Sequence, residues 1–160
     1  MKQRSEVNLT RRGMLFKIVR LISGRIIRGE FYISNVKEIS SEDLFDRIKS
    51  GQYPLLIDVR SKEEFGSGFG HIPNAKLIPL FELVPSFAST TAFKKEVKAY
   101  EALFKEIEPY KDQEVITICP GGGFSLVVAE IMADAGFKNV KSLSGGADGW
   151  FKKGFPTTLV

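Results

Sequence analysis

One stretch constrains the fold more than any other: "EVITICPGGGFSLVVAEIMADAG", residues 114–136, in which an apolar run meets a helix across a glycine turn. "EVITIC" reads as a strand covered on both faces, and "SLVVAEIMADA" reads as a helix stopped by Gly136. The same alternation recurs. "YPLLIDV" (53–59) is a continuous apolar strand, "AKLIPL" (75–80) reads as another, and "VKSLSG" (140–145) as a further one. Before the first of these lies "EDLFDRIKS" (42–50), capped by Ser40 or Ser41 and stopped by Gly51, and between 75–80 and 114–119 lies the amphipathic "TAFKKEVKAYEALFKEIEPY" (91–110) with Phe93, Val97, Leu103, Phe104 and Ile107 inward. Strands alternating with helices predict an α/β domain: a central, mostly parallel sheet flanked by helices in three layers.

The chain is long enough for one core, and its 160 residues are 43% hydrophobic and 26% charged. Its net charge of +4 is unevenly placed. Residues 1–30 hold eight Lys or Arg against Glu6 and Glu30, a local +6, so the remainder sums to −2. A basic N-terminal arm (1–34) is therefore set apart from a body (35–160), and nucleic acid is not an expected partner of the body. In the arm, Met14, Leu15, Ile18, Val19, Ile22 and Ile26 share one side of a helical wheel, with Lys17, Arg20 and Arg28 opposite. Arg25 interrupts the apolar side and Ser23-Gly24 weakens the middle. Three readings of residues 10–30 stay open: a helix docked on the body, weak contact with a membrane surface or partner, and a degenerate twin-arginine-like export signal. The three arginines exclude a transmembrane span. The expected location is cytoplasmic, with membrane-peripheral or exported as alternatives.

Cys119 is the only cysteine, which excludes an internal disulfide and a Cys-rich zinc site. No metal or cofactor is called for. In an open α/β sheet, ligand sites lie beyond the carboxyl ends of the strands. Cys119 is at such an end, followed by Pro120, Gly121, Gly122, Gly123 and Phe124 before Ser125 opens the helix. Successive N–H groups of this turn can point into one cup, where an anion meets donors and the positive end of the helix. Thiolate is the nucleophilic form of cysteine, so the arrangement suits a reactive sulfur. The competing reading is a small buried hydrophobe beside a plain turn. Nucleotide motifs are absent: there is no GxxxxGK[ST], and Leu126 takes the place of the third glycine of GxGxxG.

"LLIDVRSKEEFGSGFGHIPNAKLIPL", then strand-Cys-loop-helix, then "SLSGGADGWFKKGFP" together resemble a rhodanese domain over residues 36–158. The resemblance implies the rhodanese-like three-layer fold and a sulfurtransferase or persulfide carrier. In it, Cys119 accepts sulfane sulfur from thiosulfate or a persulfide and passes it to a thiol, a protein or another nucleophile. It implies an anion- and persulfide-binding loop over Pro120, Gly121, Gly122, Gly123, Phe124 and Ser125. Asp58, Arg60 and His71 become supporting structural residues that tie turns together, and Trp150 with Gly145-Gly146 a packing and turn motif. Active relatives carry arginines or other polar side chains in the loop, and this loop has no side-chain cation. A phosphatase of similar fold would need arginine where Ser125 stands, and the sulfurtransferase register would place one at Phe124. The alternative function is a non-catalytic rhodanese-like interaction or regulatory module.

Overall fold

The computed structural model describes residues 36–80 and 105–160. The arm and most of the 91–110 segment, including Phe93, Val97, Leu103 and Phe104, lie outside them. In chain order the elements are β1 (Lys37–Ile39), α1 (Ser41–Lys49), β2 (Leu55–Asp58), α2 (Lys62–Gly66), β3 (Lys76–Leu77), a 3-10 turn (Glu108–Tyr110), β4 (Glu114–Ile118), α3 (Gly123–Asp134), β5 (Asn139–Leu143) and α4 (Gly146–Lys152). The sheet order is β1-β5-β4-β2-β3, and every pairing is parallel. β4 is thus the central strand.

Side-chain alternation sorts the core into two layers. On one face Ile57, Val59, Val115 and Cys119 pack with Val128 and Met132 of α3, with Ile107 buried among them. On the other, Leu56, Ile116, Ile118 and Leu143 pack with Leu44 of α1 and Ala147 and Trp150 of α4. Sheet and two helical layers make the expected three-layer α/β domain.

Several element limits differ from the sequence expectation for local reasons. Ser40, not Ser41, caps α1, its hydroxyl accepting from the Asp43 N–H at 3.1 Å. The 75–80 strand shrinks to Lys76–Leu77, with Pro79, which has no N–H for a ladder, just beyond it. α3 starts at Gly123 instead of Ser125, so the last glycine and Phe124 belong to the helix's first turn. Among the described residues no helix is long and apolar enough to cross a membrane.

Candidate active site

β4 delivers Cys119 to the carboxyl edge of the sheet, flanked by β2 and β5. The strand end is held on one side by the Val59 N–H, which donates to Ile118 O at 2.8 Å. Cys119 is only 1% exposed. Its Sγ accepts the Gly122 N–H at 3.1 Å, so the loop folds back over the sulfur. The three glycines are not equivalent. Gly122 alone of them has a positive φ, +93°, and a side chain there would press on Gly145 N at 3.0 Å and Leu143 O at 3.2 Å. Gly121 and Gly123 face open space.

The loop is clamped from β5 and α4. The Ala147 N–H donates to Cys119 O at 2.8 Å and the Asp148 N–H to Pro120 O at 3.0 Å. These first-turn donors, which a helix leaves unpaired, are used to fix the loop carbonyls. Gly146, at φ +60°, permits the approach: a Cβ there would sit 2.5 Å from Pro120 O and 2.7 Å from Gly122 N. The Gly145-Gly146 pair thus seats the cysteine loop as well as making a turn, a contact that no local pattern in the sequence reveals.

Ser125 is fully buried, and its hydroxyl turns inward to Gly122 O at 3.2 Å and Ser142 Oγ at 2.8 Å. It braces the loop from beneath. Phe124 is half-buried and packs on the core layer that contains Cys119. Pro120 is half-buried, while Gly121 and Gly123 are exposed. The Gly122 N–H is thus turned onto the sulfur, and no residue from Pro120 to Ser125 carries a side-chain cation.

Asp58 and Arg60 form a buried pair on the neighbouring strand end. Arg60 Nε reaches both carboxylate oxygens, at 3.0 and 3.1 Å, and Nη2 reaches Oδ2 at 2.8 Å. Nη2 also donates to Gly70 O at 2.9 Å, and the guanidinium lies 5.4 Å from the Phe151 ring centre. The pair therefore joins the end of β2 to the turn before His71 and to α4. His71 is buried, its ring stacked on Phe65 at 3.6 Å and its Nδ1 2.9 Å from Phe65 O. Its backbone bridges Thr158 in both directions, at 3.0 and 2.9 Å. Trp150 is buried and donates Nε1–H to Pro156 O at 2.9 Å. The hydroxyls of Thr117 and Ser142, which the sequence reading does not single out, reach the start of α3 at Ser125. The usable signal is register: Thr117 is two residues before Cys119 and pairs with Ser142.

A parallel sheet that presents a lone cysteine at the carboxyl edge of its central strand, beneath a short loop closing into a helix, defines a cysteine-loop α/β domain. The rhodanese-like domain model matches residues 40–153, and the chain belongs to the rhodanese-like family. A sulfurtransferase from Allochromatium vinosum is 29% identical over 121 residues, covering 76% of this chain and 94% of the relative. The chloroplastic thiosulfate sulfurtransferase 16 of Arabidopsis thaliana is 30% identical over 102 residues, covering 63% and 77% respectively. The structure of a human single-domain sulfurtransferase superposes with a TM-score of 0.53 at 27% identity, covering 74% of this chain and 98% of that one. These similarities support sulfurtransferase activity in general.

Proposed function

We propose that this protein moves sulfane sulfur through a persulfide on Cys119. The carrying observation is the Cys119 Sγ at the end of the central strand, taking the Gly122 N–H at 3.1 Å inside a loop that opens into α3. In the first step the Cys119 thiolate attacks the sulfane sulfur of the donor. One S–S bond forms at Sγ, the donor's S–S bond (S–S of thiosulfate, or of a persulfide) breaks, and the donor leaves as sulfite or thiolate. In the second step an acceptor thiolate attacks the outer sulfur, and Cys119 leaves as thiolate. Electrons balance across the pair of exchanges, so no further oxidant or reductant enters. The persulfide is an anion that backbone donors and the start of α3 stabilise without a metal.

The absence of a cation between Pro120 and Ser125 favours a small-molecule or protein persulfide over the thiosulfate dianion as donor. The same absence, with the near-complete burial of Cys119, is what favours the second reading, a non-catalytic interaction module. Intact-mass spectrometry separates the two. The protein is exposed to thiosulfate and, separately, to a persulfide donor, alongside Cys119→Ser. One added sulfur in the parent, absent from Cys119→Ser and released by a thiol acceptor, is the expected result. No adduct with either donor rejects sulfur carriage and leaves the module.

A further inference from the structure

Three hydroxyls, those of Thr117, Ser125 and Ser142, are fully buried directly beneath the cysteine loop. Thr117 and Ser142 are register partners on β4 and β5, so their side chains emerge on one face of the sheet. Cys119, two residues beyond Thr117, shares that face. Thr117 Oγ1 donates to Ser125 O at 2.7 Å, pinning the first turn of α3 to β4.

The remaining two hydroxyls form a chain whose direction follows from counting protons. A serine hydroxyl has one proton to give. Ser125 gives its own to Gly122 O, at 3.2 Å. The proton between Ser125 Oγ and Ser142 Oγ, 2.8 Å apart, must then come from Ser142. The order is Ser142 to Ser125 to the Gly122 carbonyl. On the other side of its Cα, Gly122 gives its N–H to Cys119 Sγ. Glycine has the freest backbone of any residue, so the aim of this N–H depends on what holds the rest of the residue. The Gly122 carbonyl is held by Ser125, and Ser125 is oriented by Ser142.

We infer that Ser142 is a positioning residue for sulfur transfer: through Ser125 it fixes Gly122 and so aims the Gly122 N–H at Cys119 Sγ. This rests on the reading of Cys119 as the sulfur carrier. Ser142 keeps its proton throughout and touches neither donor nor acceptor.

The test compares the full-length parent with Ser142→Ala and Ser142→Thr by three measurements: iodoacetamide alkylation of Cys119, sulfur loading from a small persulfide, and hydrogen exchange of individual amides. Ser142→Ala is expected to slow alkylation and loading roughly tenfold. It should speed exchange at Gly122 while amides of β2 exchange as in the parent. Ser142→Thr keeps the hydroxyl on a side chain suited to a strand and should return all three readouts toward the parent. Parental alkylation and Gly122 exchange in Ser142→Ala would overturn the inference. So would a uniform rise in exchange across the whole sheet, which marks Ser142 as filler alone, or a Ser142→Thr that melts like the parent yet behaves like Ser142→Ala. Alkylation and exchange need no sulfur donor. If they respond as expected while the parent takes up no sulfur, positioning stands and sulfur carriage falls.

Discussion

A methyl group added at Gly146 would collide with the carbonyl oxygens of Cys119 and Pro120 and with Gly122 N, all backbone atoms that cannot swing aside. The residue also holds φ +60°, where an L side chain costs about 1–2 kcal/mol by itself. Gly146→Ala is therefore expected to destabilise the domain by about 2–4 kcal/mol in urea unfolding. Sulfur loading of whatever fraction stays folded should fall as well, because α4 can no longer hold the loop. Gly121→Ala is the control: nothing lies within 4 Å of its Cβ and its φ is not positive, so a change within about 0.5 kcal/mol is expected. Equal effects at the two positions would contradict the assignment of distinct roles. The cysteine and its glycines were legible because strand, turn and helix follow one another in the chain. Which glycine takes a positive φ against neighbouring backbone, and that Ser142 lies beneath the loop, depend on β5 and α4 arriving from later sequence, which no local pattern encodes.

Elements were legible in proportion to the apolar surface they bury. β2, β4 and α3 announce themselves by unbroken apolar runs. β1, three residues of which only Ile39 is buried, offers no apolar run to mark it and is held as a strand by pairing with β5. α2 is five residues long, yet its start carries a reciprocal capping box between Ser61 and Glu64, a signal the pattern of apolar residues does not convey. At α1 two adjacent serines look interchangeable and the structure divides them. Ser40 supplies the cap, whereas Ser41 is buried and its Oγ has no hydrogen-bond partner among the described residues. Ser40→Ala should therefore cost about 1 kcal/mol. Ser41→Ala removes an unsatisfied hydroxyl and puts a better helix former in its place, so it should stabilise by about 0.5–1 kcal/mol. Urea midpoints of the two variants that shift in the same direction would contradict this division of labour.

Across the whole molecule, the two ends of the central strand carry different duties. Cys119 and its clamp occupy the carboxyl edge, while β4 begins at Glu114, which holds Arg47 of α1 and Lys141 of β5. Arg47 Nη1 donates to Glu114 Oε1 at 2.7 Å, Nη2 pairs with Oε2, and Lys141 Nζ donates to Oε1 at 2.6 Å. The Arg47 hydrogen bonds foremost, with Lys141 adding to them and partial burial opposing, hold the Glu114 carboxyl down at about 2, against an ordinary 4.5. A carboxylate whose folded value is depressed stabilises the fold above its unfolded value and loses that contribution as pH falls. The contribution is thus complete above pH 4.5 and drains away toward pH 2. Because water screens much of the cluster, about 1 kcal/mol is expected at neutral pH. Glu114→Gln should accordingly lower the urea midpoint at pH 7, with the gap to the parent closing as pH drops from about 4.5 toward 2. A gap that stays constant over that window would show that the cluster stabilises by packing instead of charge. At pH 7 the folded variant should load sulfur at the parental rate, since its altered end of β4 is a full strand length from the thiol. A rate that falls along with stability would mean that the two ends are coupled through the strand.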